Sequence, residues 1–309
     1  MLGRKRRAAA TAAVATLSVL LAACGPSAAN RGSASSDALV FAAIPSEDSS
    51  SLRQDYRPVL DMLEAETGKE VRFQQATDYA AIIEDQRAGK IDIAKYGPFS
   101  YVLARKKGVE ATAVAAQTEK KGKKPGYQSY AITRPGTGID SLADFAGEKV
   151  CFVDPTSTSG YLYPTAGLLE AGVDPKTDIR PIMSGGHDAS ALAVASGQCA
   201  AGFAFDTMVS RQLIEQGQLE PGQLEVVWRS EVIPGDPAVV SEGLAPKLRE
   251  TITSALRNKA NSDYLRAHGF CTGKCRVGDT GGWGFTRVDD SYYDTIRRVC
   301  ATTRNKQCV

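Results

Sequence analysis

Short apolar runs and amphipathic stretches alternate along the chain between residues 38 and 100. Residues 39–44 form an apolar run bounded by polar residues and Pro, which is typical of a buried strand. Residues 52–63 carry apolar side chains at helical spacing, and Gly68 ends that predicted helix. The pattern continues with a strand at 71–73, a helix at 79–87 and a strand at 91–94. This βαβαβ order predicts a mainly parallel sheet with right-handed crossovers.

The same alternation restarts after a Lys-, Gly- and Pro-rich stretch at residues 120–126. Residues 127–133 predict an extended segment that crosses into a second unit. Further elements are predicted there: strands at 149–153, 179–183 and 200–205, and helices starting at Ser159, Asp188 and Thr207. Length and pattern therefore predict a second α/β lobe at residues 128–232.

The remaining residues are too few for a third domain. Helices are predicted near 245–258 and 290–299, and we expect this tail to pack back on the first lobe. Lobe one then comprises residues 38–127 and 233–309. Two chain crossings between lobes form a hinge, and a hinge implies a cleft.

The N-terminus predicts export and a lipid anchor. Four basic residues at 4–7 precede an Ala-rich apolar stretch at 8–23, which is too short for a stable membrane span. The segment around Cys24 (Leu-Ala-Ala-Cys-Gly) resembles the lipobox of bacterial lipoproteins. We expect a signal peptide at 1–23, lipidation of Cys24, a flexible tether at 24–37 and a location on the extracytoplasmic side of the cell membrane. An ordinary secretory signal with an incidental cysteine is the alternative.

Charge gives no support to a nucleic-acid partner. The formal net charge is +2, and removing the predicted signal peptide, with its four basic and no acidic residues, takes it to −2.

Six cysteines remain after Cys24, and an even number in an exported protein predicts disulfides. Proximity along the chain favours three pairs, although six cysteines allow 15 pairings. The favoured pairs are Cys151 with Cys199, Cys271 with Cys275, and Cys300 with Cys308. A zinc site at Cys271, Cys275 and His268 is a weaker alternative, because a fourth ligand is missing nearby. We therefore predict no metal and no cofactor.

The turn at residues 154–161 (Asp-Pro-Thr-Ser-Thr-Ser-Gly-Tyr) carries the chemistry. It follows an apolar strand and precedes a helical pattern, so free backbone N–H groups and the hydroxyls of Ser157, Thr158 and Ser159 meet at the positive end of a helix. Such a group of donors suits an oxyanion. Simple helix capping explains one of these hydroxyls, but not three in succession.

Three further candidates lie at or beyond the ends of predicted strands, where α/β sheets place their ligands. They are Tyr96, His187 and Asp206. Each has a structural alternative: Tyr96 in the core, and His187 and Asp206 at the start of a helix.

Together, residues 96–101, 154–164, 184–188 and 198–206 resemble the phosphate-, phosphite- and phosphonate-binding proteins of ABC importers, the PhnD-like family. The resemblance covers residues 39–299. It implies a two-lobed type II periplasmic-binding-protein fold, no enzymatic activity, and a permease and an ATPase as partners of a monomer. The ligand contacts that it implies are Tyr96, Ser157, Thr158, Ser159, His187 and Asp206.

The first loop and the tail lie outside this resemblance. Ser46, Glu47 and Asp48 are candidate contacts by position alone, and the six cysteines and residues 271–309 are not part of the family pattern. Asp206 is expected to accept a hydrogen bond from a protonated P–OH, or to pair with the ammonium group of an aminoalkylphosphonate, and so to reject sulfate. A sulfonate-binding protein of the same fold, a Ser159–His187–Asp206 hydrolase and a structural surface lipoprotein are the alternatives.

Overall fold

A computed structural model describes residues 38–309 of the chain, apart from Lys274, Arg304 and Val309. The expected signal peptide, the lipidation at Cys24 and the tether at 24–37 lie outside these described residues. Among the helices of the described part, none has both the length and the apolar character needed to cross a membrane.

The elements alternate through most of the described chain. The strands are β1 Ala38–Ala43, β2 Glu70–Gln75, β3 Ile93–Lys95, β4 Ala111–Thr118, β5 Gly126–Tyr127, β6 Ser129–Thr133, β7 Lys149–Phe152, β8 Arg180–Met183, β9 Ala201–Phe205, β10 Glu225–Arg229, β11 Ile233–Pro234, β12 Pro237–Ser241 and β13 Gly284–Arg287. The helices are α1 Ser49–Thr67, α2 Tyr79–Arg87, α3 Pro98–Lys106, α4 Tyr163–Glu170, α5 His187–Ala195, α6 Leu213–Glu215, α7 Pro246–Asn258, α8 Ser262–Ala267 and α9 Asp294–Thr302. Single π-helical turns, Thr158–Leu162 and Met208–Gln212, precede α4 and α6.

Lobe one is built on a six-stranded sheet in the order β13-β4-β12-β3-β1-β2. Strand β1 runs parallel to β2 and β3, as the βαβαβ pattern predicts. Strand β12 is antiparallel to both β3 and β4, and β13 is antiparallel to β4. The expectation of a mainly parallel sheet is therefore wrong for this half of it, because the chain returns from lobe two and inserts β12 in the opposite direction.

Lobe two is built on a five-stranded sheet in the order β10-β6-β9-β7-β8. Strands β7, β8 and β9 are parallel, whereas β6 and β10 are antiparallel to their neighbours. The parallel strands place the segments that follow β7, β8 and β9 at one edge of the sheet. These segments carry most of the predicted ligand contacts.

Two chain crossings join the lobes, and they pair with each other. Strand β5 lies antiparallel to β11, with Tyr127 opposite Ile233. The described chain therefore has the two-lobed α/β architecture that the sequence predicts.

Apolar side chains on alternate positions cover both faces of the first sheet. Leu39, Phe41 and Ala43 of β1 pack in one core cluster, while Ala42 and Ile44 pack in another. This two-residue period follows from the pleat of a strand whose two faces are both buried.

Candidate functional site

The Ser/Thr turn lies between β7 and α4, at the edge of the lobe-two sheet. Ser157 caps the helical segment: its hydroxyl accepts a hydrogen bond from the Gly160 amide at 3.1 Å. Asp154 holds the start of the turn by accepting from the amide and the hydroxyl of Thr156 at 2.7 and 2.8 Å. In the described chain the amides of Thr158 and Ser159 donate to no acceptor, as expected for the first residues of a helix.

This turn forms one wall of a buried cavity between the two lobes, with a volume of about 20 Å³. The cavity is lined by Ile44, Ser46, Tyr79, Gly97, Tyr127, Ser157, Thr158, Ser159, His187, Phe205, Asp236, Asp279 and Thr280. Among these described lining residues there is no Lys and no Arg. The hydrogen-bond donors of this lining are therefore neutral groups.

The lobes touch across the cavity through direct hydrogen bonds. Thr158 Oγ1 accepts from the Phe99 amide at 2.8 Å, which caps α3 from the opposite lobe. The His187 amide donates to the Ser46 carbonyl at 2.9 Å, and the Asp48 amide donates to Asp188 Oδ2 at 3.2 Å. The structure therefore represents a closed cleft.

His187 lies in the cavity wall as a neutral donor. The Phe205 amide donates to its Nδ1 at 3.2 Å, which leaves the proton of the neutral ring on Nε2. Burial lowers the pKa of His187 to about 3, although the nearby Asp279 carboxylate acts in the opposite direction. An imidazole with this pKa, oriented by an amide rather than by a carboxylate, does not fit the Ser159–His187–Asp206 hydrolase alternative.

Two carboxylates also line the cavity, and neither was predicted. Asp236 and Asp279 both bind the ammonium group of Lys95, which is completely buried at the end of β3. Burial lowers the pKa of Lys95, but the two carboxylates raise it by more. Asp236 Oδ1 makes no hydrogen bond of normal geometry with a described residue, although the Tyr127 hydroxyl lies near this carboxylate, so Oδ1 is a buried acceptor at the cavity wall.

Asp206 lies beside this cavity rather than in its lining. Its carboxylate accepts from the amides of Thr207 and Gln128 at 2.8 and 3.2 Å. It borders a neighbouring small cavity that shares Tyr127, Asp236 and Thr280 with the first. Burial raises the pKa of Asp206 to about 6. Asp236 is therefore better placed than Asp206 to meet a ligand held by the Ser/Thr turn.

Tyr96 does not line the cavity. Its ring packs in the core of lobe one, and its hydroxyl lies 2.9 Å from Gln86 Oε1 and 3.3 Å from the Ile82 carbonyl on α2. Residues at successive positions of an extended segment point to opposite sides, so Gly97 faces the cleft while Tyr96 faces the core. We therefore withdraw Tyr96 from the candidate contacts.

The cavity lining contains two tyrosines that the sequence analysis did not predict. Tyr79, the first residue of α2, and Tyr127, in the first chain crossing, both line the cavity. The Tyr79 hydroxyl is buried without a hydrogen-bond partner in the described chain. Tyr79 directly follows the Asp78 helix cap, and Tyr127 lies in a segment that the sequence already predicted to cross between the lobes. Their positions could therefore have marked them as candidates.

The first loop carries a buried acid at the closed cleft. Glu47 is 5% exposed, and its Oε1 has no partner among the described residues. Burial raises the pKa of Glu47 to about 9, and the neighbouring carboxylates of Asp279, Asp55, Asp188 and Asp48 add to the effect. Of the three first-loop candidates, only Ser46 lines the cavity.

The three disulfides in the structure are Cys151–Cys199, Cys271–Cys275 and Cys300–Cys308. These are the pairs that proximity along the chain predicts. Because Cys271 and Cys275 are bonded to each other, they are not thiolate ligands for zinc. No group of three metal-ligating side chains occurs among the described residues.

Known proteins with the same features are binding components of importers. Residues 41–276 match the family described as "ABC transporter, phosphonate, periplasmic substrate-binding protein". The chain is 46% identical over 281 residues to the phosphate-import protein PhnD of Mycolicibacterium smegmatis, with 88% of each chain covered. It is 31% identical to the phosphonates-binding periplasmic protein of Escherichia coli, with 74% of this chain and 68% of that protein covered.

A solved structure agrees. The binding protein component of an ABC phosphonate transporter from Pseudomonas aeruginosa superposes with a TM-score of 0.75 at 28% identity, and 86% of each chain is covered. The matched proteins are non-enzymatic binding proteins of transporters. This chain therefore belongs to the family of periplasmic substrate-binding proteins of phosphonate ABC transporters.

Proposed function

We propose that the closed cleft captures a small phosphorus oxyanion, namely phosphate, phosphite or a simple phosphonate, and presents it to the permease of an ABC importer. The observation that carries this proposal is the buried cavity whose lining includes the turn at 157–159, His187, Tyr79 and Tyr127, all of which carry hydrogen-bond donors. Each hydrogen bond to a charged acceptor contributes about 1.5–3 kcal/mol. Two relatives, a phosphate-import protein and a phosphonates-binding protein, support the same ligand class.

Closure provides the signal for transport in this proposal. The hinge lies at the paired crossings β5 and β11, between lobe one at 38–127 plus 233–309 and lobe two at 128–232. A ligand that binds both walls shifts the protein towards the closed form. The small cavity favours a compact ligand, since a long substituent would keep the lobes apart.

Asp236 replaces Asp206 as the proposed acceptor for a protonated P–OH. Its Oδ1 can accept a hydrogen bond from the P–OH group. Sulfate is unprotonated at neutral pH, so the carboxylate would only repel it. Asp206 is proposed to influence ligand binding indirectly from the neighbouring cavity. Its effect would pass through the residues that line both cavities, Tyr127, Asp236 and Thr280.

Calorimetry with phosphate, phosphite, methylphosphonate and sulfate tests the proposal. We expect 1:1 binding of at least one phosphorus oxyanion and none of sulfate. Ser159→Ala should weaken binding by about ten- to a hundredfold, on the value of one charged hydrogen bond. Ser196→Ala, at an exposed position on lobe two, is the control. Failure of all three phosphorus ligands to bind would refute the function.

The lipid anchor at Cys24 is proposed from the lipobox-like sequence alone. A diacylglycerol group with a further acyl chain would hold the protein near its permease. Mass spectrometry of the exported protein should show an N-terminus at Cys24 with an added lipid, and Cys24→Ala should release the protein from membranes. A native N-terminus at another residue, without lipid, would contradict the assignment.

A further inference from the structure

A buried ammonium group lies behind the cavity wall, and the proposed function does not use it. Lys95 is the last residue of β3, in the middle of the lobe-one sheet, and none of its side chain is exposed. Its Nζ donates to Asp236 Oδ2 at 2.9 Å and contacts Asp279 Oδ1 and Oδ2 at 3.1 and 3.2 Å. An ammonium group has three protons, so these contacts use all of them.

The two carboxylates are firmly placed by other groups. Asp236 directly precedes β12, whose Ala238 pairs with Lys95 in the sheet. Asp279 accepts hydrogen bonds from Ser46 Oγ at 3.1 Å and from the Tyr56 hydroxyl at 3.2 Å. Both carboxylates line the cavity that the Ser/Thr turn also lines. The ammonium group therefore sits against the acidic side of a ligand site.

A carboxylate in the wall of an oxyanion site has an obvious use, which is to bind a cationic group on the ligand. An aminoalkylphosphonate carries such a group, and a buried ammonium needs a carboxylate because an unpaired buried charge is very costly. Here Lys95 already occupies three of the four carboxylate oxygens. A ligand amine would lack a full partner and would also be repelled by Lys95.

We propose that Lys95 is a specificity-determining residue, a built-in counter-ion that restricts the cavity to phosphorus oxyanions without a cationic substituent. This inference rests on the proposed function and narrows its ligand class. It leaves one acceptor, Asp236 Oδ1, which suits a single P–OH proton rather than an ammonium group.

The experiment compares two ligands of nearly equal shape. Aminomethylphosphonate and ethylphosphonate differ by an ammonium in place of a methyl group. We expect the natural protein to bind ethylphosphonate at least about tenfold more tightly by calorimetry, the ratio that corresponds to one poorly paired charge. Equal or tighter binding of the amine by the natural protein would overturn the inference without any variant.

The variant Lys95→Met/Asp279→Asn tests the role of the ammonium group directly. It removes one positive and one negative charge, so the net charge of the cluster is unchanged, while Asp236 loses its cationic partner. The ligand ratio should shift towards aminomethylphosphonate by at least about tenfold. If Lys95 only stabilised the fold, the variant would bind both ligands less tightly by the same factor and the affinity ratio would not change. That result would refute the inference.

The matched control is Lys95→Met/Asp236→Asn/Asp279→Asn, which also lacks the ammonium group but offers no carboxylate. Its ratio should not shift towards the amine, and a shift as large as in the double variant would refute the role of Asp236. Thermal melts establish that each variant folds. If the natural protein binds phosphate or ethylphosphonate but does not discriminate against the amine, only this inference fails. If it binds no phosphorus oxyanion, the proposed function fails with it.

Discussion

Single residues at the closed cleft are held in protonation states that differ from those in water. Glu47 is the most extreme case with a pKa of about 9, because it is buried and lies near the carboxylates of Asp279, Asp55, Asp188 and Asp48. Unfolding returns its pKa to about 4.5. Because the folded pKa is raised, the stabilisation is complete below pH 4.5 and is lost as the pH rises through 9.

Glu47→Gln should therefore remove part of the pH dependence of stability. We expect the free energy of unfolding of the natural protein to fall between pH 5 and pH 9 relative to the variant, by at most about 1.4 kcal/mol per pH unit. Urea denaturation at several pH values measures this difference. Other buried acids, such as Asp55 and Asp206, titrate in both proteins and cancel. Parallel curves for the two proteins would show that Glu47 is ionised in the folded state.

The residue scale also shows how much of the site sequence could predict. Ser157, Thr158 and Ser159 were found because consecutive donors follow the end of β7, and His187 because it follows the end of β8; the structure brings all four to one cavity. Their contact with a ligand stays a prediction. Asp236 and Lys95 were missed because their meeting depends on the antiparallel insertion of β12, which local sequence does not encode.

At the scale of elements, the sequence predicted helices and strands with a regular apolar pattern, but it missed elements rich in Ala or beginning with Gly-Pro. Helix α2 has the predicted bounds, Tyr79–Arg87, and Asp78 caps it as a helix start requires. Strand β4 was missed because Ala, which is depleted in strands, fills four of its eight positions, so pairing with β12 and β13 decides its conformation. Helix α3 was missed because Gly97-Pro98 also suits a turn, although Pro favours the first helical position.

The disulfides should differ in what they contribute to stability. Cys151–Cys199 ties β7 to the segment before β9 and closes a separation of 48 residues, whereas Cys271–Cys275 closes only four. On chain-entropy grounds the first should contribute about 4 kcal/mol and the second about 2 kcal/mol.

Double Cys→Ala variants of each pair, compared by urea denaturation, check this order. We expect Cys151→Ala/Cys199→Ala to lower the free energy of unfolding more than Cys271→Ala/Cys275→Ala. The reverse order would mean that structure remaining in the unfolded chain, and not loop length, sets these contributions.

At the scale of the whole molecule, side chains of lobe two that do not line the cavity also contact lobe one and hold the closed form. Arg276 of lobe one forms an ion pair with Glu215 of lobe two, and the Arg211 side chain of lobe two donates to the Thr280 carbonyl. The Gln212 side chain donates to the Asp279 carbonyl, which links lobe two to the loop that carries a cavity carboxylate. Ligand affinity should therefore depend on residues that do not touch the ligand.

Charge reversal at this ion pair tests that dependence. Glu215→Arg places two like charges across the closed cleft and should weaken phosphate binding by about three- to tenfold, since both side chains are about one-third exposed. The swap Glu215→Arg/Arg276→Glu should restore affinity. Calorimetry measures both, and small-angle scattering reports the closed fraction. A swap that binds as weakly as the single variant would exclude the ion pair as a closing contact.

The lack of Lys and Arg in the described cavity lining bears on where such a protein can work. At 0.1 M salt, dissolved ions largely screen the attraction between exposed charges that lie more than about 10 Å apart, but they hardly affect uncharged donors enclosed in protein. If the cavity binds a phosphorus oxyanion as proposed, the contacts inside it should therefore hardly change with salt concentration, and any salt dependence of binding should come from exposed contacts between the lobes such as Arg276 with Glu215.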